Sequence, residues 1–139
     1  MKVLIDTNVI IDVLSNRTPH FHFSSKIFEL CGAQLQGHIA AYQTRDIFYL
    51  LKRSGVDISV AKSAIACLVG TLVSLDTNFS DIKCALASEI SDFEDAILAY
   101  CAERHNIQFI ITRNVKDFKL SPIKAVSPRD FVELLAGNE

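Results

Sequence analysis

Ser91 to Asn114 reads S-D-F-E-D-A-I-L-A-Y-C-A-E-R-H-N-I-Q-F-I-I-T-R-N, an acidic helix start joined to a strand that ends in polar residues. Phe93, Ala96, Ile97, Tyr100 and Cys101 recur at helical spacing, so an apolar stripe running towards His105 predicts a core helix. Ser91 and Glu94 have the spacing of a capping box, which predicts a helix start near Asp92. Asp92 and Asp95 then lie on roughly one face. Asn106 is a C-terminal cap, and Phe109-Ile110-Ile111 is a short buried strand closing in Thr112-Arg113-Asn114.

The same alternation extends to both ends. Val3-Leu4-Ile5 is a strand, Asp6-Thr7-Asn8 a polar turn, and Val9, Ile10, Val13 and Leu14 a helical stripe. Asp6 at a strand's carboxyl end is equally a helix cap or a ligand-binding acid. Arg17-Thr18-Pro19 breaks the chain before a predicted helix from about His20 to Ala33. His20 and His22 are two apart in that helix, so they do not face each other as metal ligands would. A second strand falls at 37–41, and a helix from Thr44 ends near Ser54-Gly55, with Asp46 in its first turn. An amphipathic helix closed by Gly70 leads into a strand at 72–75, followed by a helix over 82–89. Beyond Asn114 come a turn at 115–118, a last strand at 123–126 and a helix from Pro128 through Leu135, with 137–139 frayed. Strands alternating with helices predict an α/β fold, a parallel sheet covered by helices on both faces.

At 139 residues the chain is read as one domain, 1–139, and half its residues are apolar. No apolar run approaches the roughly 20 residues that span a bilayer, and Met1 leads directly into a strand. The expectation is a cytoplasmic protein with no membrane association. Cys31, Cys67, Cys84 and Cys101 are widely spaced in apolar helical contexts, which predicts reduced, buried thiols. The formal net charge of −2 is no signature of a nucleic-acid binder, although a cation-binding acidic cluster hides in such a sum. Neither G-x-G-x-x-G nor G-x-x-x-x-G-K-[ST] occurs, so the usual nucleotide cradles are missing.

What remains is acid. In a parallel sheet Asp6 and Thr112-Arg113-Asn114 end strands on one edge, while Asp46, Asp92 and Asp95 start helices that leave it. Bare carboxylates gathered there would repel and raise one another's pKa values. Mg²⁺ or Mn²⁺ resolves this, since both take oxygen ligands and keep waters that phosphates displace. The predicted reaction is phosphodiester hydrolysis.

K-V-L-I-D-T-N-V-I-I-D-V-L, T-R-D-I-F-Y-L-L-K, S-D-F-E-D-A-I-L-A-Y-C-A, I-I-T-R-N-V-K-D-F and S-P-R-D-F resemble, in order, the blocks of a PIN domain of the small, stand-alone VapC-like kind. The resemblance implies a three-layer α/β/α sandwich around a mostly parallel sheet and Mg²⁺ or Mn²⁺ at the acidic site. It implies ribonuclease activity, a cognate antitoxin that blocks the site, and a homodimer. By position, Asp6, Asp46 and Asp95 match family acids, with Asp46 where Glu is usual, and Asp92 adds charge as a further ligand. Asn114 stands where a T-x-D pattern carries the last acid; an amide orients water but brings no charge. The resemblance makes Asn8, Thr112 and Asp117 supporting residues, with Asp117 also readable as a turn residue. Arg17, Arg45 and Arg113 are placed to meet RNA phosphates. Asn114 keeps an alternative open, a PIN-fold RNA- or partner-binding module with weak or no nuclease activity.

Overall fold

The strand β1 (Lys2–Ile5) sits where an all-apolar run belongs, and Val3, Leu4 and Ile5 are wholly buried in the computed structural model, which describes residues 1–138. Successive side chains of a strand point to opposite faces. Val3 and Ile5 accordingly join one apolar cluster and Leu4 the other.

Around β1 the chain alternates as expected: α1 (Thr7–Leu14), α2 (Phe21–Leu30), β2 (Gln36–Ala40), α3 (Gln43–Arg53), α4 (Ile58–Thr71), β3 (Val73–Leu75), α5 (Phe79–Ala87), α6 (Phe93–Arg104), β4 (Phe109–Ile111), β5 (Lys124–Val126) and α7 (Pro128–Gly137). A 3₁₀ turn, Val115–Phe118, separates β4 from β5. The five strands run in the order β3-β2-β1-β4-β5, and every pairing is parallel. One face buries Val9 and Ile10 of α1, Ile27 of α2, Ile47 and Leu51 of α3, Ala61 and Leu68 of α4 and Phe131 of α7. The opposite face buries Ala85 of α5 and Ala96, Leu98, Ala99, Cys101 and Ala102 of α6. These are the three layers, and no helix among the described residues is long and apolar enough to cross a membrane.

The differences from the sequence reading are local. Asp92, not Ser91, caps α6, its Oδ1 accepting from the Asp95 backbone N–H at 2.9 Å. The Ser91–Glu94 box does not form because the extended turn residue is Asp92, which brings the nearer acceptor to the orphan donor. Phe93 is 47% exposed rather than first in the buried stripe, because burial begins one turn later with small residues that let α6 lie close to the sheet. The capping box stands at Asn78 and Asp81, so α5 begins at Phe79 rather than 82. Asn106 turns the chain with φ of 58°, the left-handed conformation its capping role requires. Only Cys101 is buried; Cys67 and Cys84 are exposed on α4 and α5. Gly137 closes α7 rather than fraying, and Glu139 lies outside the described residues.

Candidate active site

The strand order reverses between β1 and β4, since β2 and β3 extend the sheet one way and β5 the other. Ligands bind beyond the carboxyl ends of strands at such a point. Asp6 follows β1 there and Thr112 follows β4, and the Asp6 N–H donates to the Ile111 carbonyl at 2.9 Å, carrying the ladder to the rim.

Asp6 is 9% exposed and its two oxygens are held differently. Oδ1 accepts from the Thr7 N–H at 2.7 Å, capping α1, while Oδ2 accepts from the Thr112 hydroxyl at 2.7 Å and the Asn8 side-chain amide at 3.3 Å. One carboxylate thus caps α1 and lines the crevice. Asn8 Nδ2 also reaches Thr112 Oγ1 at 3.3 Å, and the Asn114 N–H donates to the same hydroxyl at 3.1 Å. Burial pushes the Asp6 carboxyl upward, against the hydrogen bonds from Thr112 and Thr7.

A cavity of about 230 Å³ opens beside Asp6, lined by Tyr42, Gln43, Asp46, Glu94 and Asp95 among others. A second of about 330 Å³ shares Asp6, Glu94 and Asp95 and adds Asn8, Arg17, Asp92, Asn114 and Asp117. The structure thus brings Asp6, Asp46, Asp92, Asp95, Asn114 and Asp117 to one crevice. Half-buried Asp95 is pushed up to about 7, first by burial and then by repulsion from Asp92, Asp6, Asp117 and Glu94. Asp117, readable as a mere turn residue, contributes to this field. The Tyr42 phenol is raised as well, by burial and by Asp6, and its hydroxyl donates to the Glu94 carbonyl at 3.4 Å.

Among the described residues no salt bridge neutralises Asp6, Asp46, Asp92, Asp95 or Asp117. Nor do any three His, Cys, Asp or Glu side chains among them stand already gathered as a metal-binding group. The donor set is all oxygen, crowded and uncompensated, which suits a hard divalent cation. Asp6, Asp46 and Asp95 could hold one, with Asp92 and Asp117 close enough to add charge.

The three arginines separate. Arg17 lines the second cavity, whereas Arg45 lies in a shallow groove with Phe48 of α3 and Lys62 and Ile65 of α4. Arg113 pairs through Nε with buried Asp12 at 2.6 Å, and its charge also acts to lower the Asp6 carboxyl. Sequence reasoning missed Asp12 and Gln43. Gln43 is 1% exposed, accepts from the Ala40 N–H at 2.7 Å and donates to the Ile5 carbonyl at 3.0 Å and Thr7 Oγ1 at 3.3 Å. It ties the ends of β1 and β2 to the first turn of α1. A polar residue at the inner edge of the α3 start was the signal available for it.

The sequence profile of the PIN domain matches residues 2–116. No curated protein sequence matches the chain. Among solved structures, a toxin–antitoxin complex from Klebsiella pneumoniae contains a chain 24% identical, with a TM-score of 0.70 over 91% of this chain and 97% of that one. DNA-bound VapBC from Salmonella typhimurium matches at 17% identity and a TM-score of 0.71, covering 92% of this chain and 98% of that one. VapC20 of Mycobacterium tuberculosis, a toxin that cleaves the Sarcin-Ricin loop, matches at 12% identity and a TM-score of 0.68, covering 83% and 92%. At these identities the likeness is one of fold.

Proposed function

This chain belongs to the PIN domain family, and from that premise we propose that it is a Mg²⁺- or Mn²⁺-dependent endoribonuclease, the toxin of a cytoplasmic toxin–antitoxin pair. The observation that carries the proposal is the uncompensated acid at the switch point, where Asp95 is held near 7 by burial and by its carboxylate neighbours. Asp6, Asp46 and Asp95 are the proposed ligands, with Asp92 and Asp117 adding charge. Asn114 faces the water, Asn8 and Thr112 hold Asp6, and Arg17 meets a substrate phosphate. A bound cation would supply a deprotonated water and neutralise charge on the phosphodiester. The half-buried floor strengthens every such interaction by excluding solvent. RNA is the proposed substrate, a cognate antitoxin the proposed partner, and a homodimer the proposed assembly; structural neighbours drawn from toxin–antitoxin complexes support the second.

Asp6→Asn and Asp95→Asn are each expected to lower cleavage of a single-stranded RNA by at least about 100-fold, the scale on which a lost electrostatic group acts in an active site. Both variants should also abolish growth arrest on expression. Undiminished cleavage by either purified variant would refute the nuclease reading. Exposed Asn114, without charge at the crevice rim, favours a second reading, a PIN module that binds RNA or a partner without cutting. Calorimetric titration with Mn²⁺ separates the two: the non-cutting module takes up none at millimolar concentration.

A further inference from the structure

Asp12 is an ionisable side chain with no exposure, on the buried face of α1 beside Ile11. A carboxylate in such a place costs several kcal/mol unless paired. Its Oδ2 accepts from Arg113 Nε at 2.6 Å and from the Ser24 hydroxyl at 3.3 Å, and its Oδ1 has no partner among the described residues. Such an expensive arrangement is weak evidence for stability, because two apolar side chains would fill the space as well. Its position suggests another use.

Arg113 is the residue between Thr112 and Asn114, and its backbone N–H donates to Asn8 Oδ1 at 3.2 Å. A backbone N–H can only donate, so this bond decides which end of the Asn8 amide faces which neighbour. With Oδ1 held by Arg113, Nδ2 is directed at Asp6 Oδ2 and Thr112 Oγ1, both at 3.3 Å. Were the amide free to turn over, it would present an oxygen to the carboxylate. We propose that Asp12 and Arg113 are positioning residues: their ion pair fastens the segment after β4 to α1, fixes the sense of the Asn8 amide, and through it holds the Asp6 carboxylate in its working orientation. The functional consequence rests on the metal-nuclease reading above; the tether itself does not. It also gives the Arg113 side chain work other than meeting RNA.

The test is the double variant Asp12→Leu/Arg113→Leu, which removes both charges together and so avoids leaving either one buried alone. Three measurements are made on it: the melting temperature, the NMR resonances of the Asn8 side-chain amide in metal-free protein, and Mn²⁺ affinity by calorimetry. The expected result is a melting temperature close to wild type, displaced Asn8 amide resonances, and Mn²⁺ affinity weakened by roughly 10- to 100-fold, as for other groups that orient a ligand. An unmoved Asn8 amide with unchanged Mn²⁺ affinity overturns the inference and leaves the pair a packing device. Wild-type protein that takes up no Mn²⁺ overturns the metal reading instead, and with it the functional consequence. Should the double variant not fold, nearly isosteric Asp12→Asn replaces it. That change loosens the pair, and the Asn8 amide must again move; an unmoved amide is again fatal to the inference.

Discussion

Asp95 shows how much of the site depends on single residues held at some cost. Its folded pKa of about 7 lies above the ordinary carboxylate value of 3.8. The stabilisation conferred by its bound proton is fully present below about 3.8 and lost as pH rises through about 7. Metal-free Asp95→Asn is therefore expected to melt above wild type at pH 8, with the gap shrinking towards zero as pH falls to 4. Thermal melts in chelator across that range check it, and a gap that stays constant with pH would show that charge is not its cause. The places of Asp6 at a strand end and Asp95 at a helix start were legible in the sequence because local pattern alone sets them. Gln43 and Asp12 were not, since their roles depend on partners brought close only by the fold: Gln43 on Ile5, and Asp12 on Arg113, 101 residues away.

At the scale of elements, Asp92 begins α6 and also lines the crevice beside Asp95, one turn further on. Ser91 and Asp92 both have the right chemistry for a cap, and only the backbone conformation chooses Asp92. No sequence rule separates two adjacent residues that are both good caps. The start of the 3₁₀ turn at Asn114 is the complementary case, a position whose chemistry differs from the family pattern while its place in the crevice is kept. Asn114→Asp adds a further negative charge there. Mn²⁺ affinity by calorimetry should rise by about tenfold, the effect of about 1.4 kcal/mol, while the metal-free melting temperature falls. An unchanged affinity would place residue 114 outside the cation's reach. Strand β2 makes a separate demand: a Cβ on Gly37 would lie 2.6 Å from Cys31 Sγ and 2.9 Å from Leu72 Cδ2. Gly37→Ala should cost about 1–3 kcal/mol by overpacking, read from the midpoint of urea unfolding.

Across the whole molecule, the alternation of apolar runs with helical stripes was sufficient for a parallel sheet with covered faces. The order β3-β2-β1-β4-β5 was not in that pattern, because strand neighbours are chosen by packing between distant segments. That order is what creates the crevice. Likewise the net charge of −2 conceals a strongly uneven distribution, with Asp6, Asp46, Asp92, Asp95 and Asp117 sharing the rim. A sum over the chain carries no information about where the charges lie.

The unneutralised rim also ties the survival of the folded chain to its ionic surroundings. On the proposed reading, each tenfold rise in free cation above its dissociation constant adds about 1.4 kcal/mol to the folded state. Digestion by a protease that attacks the opened chain should then slow in millimolar Mn²⁺ and quicken in chelator, with Asp6→Asn/Asp95→Asn indifferent to both. A crevice built to gather charge would thus make the protein's lifetime a measure of cation supply.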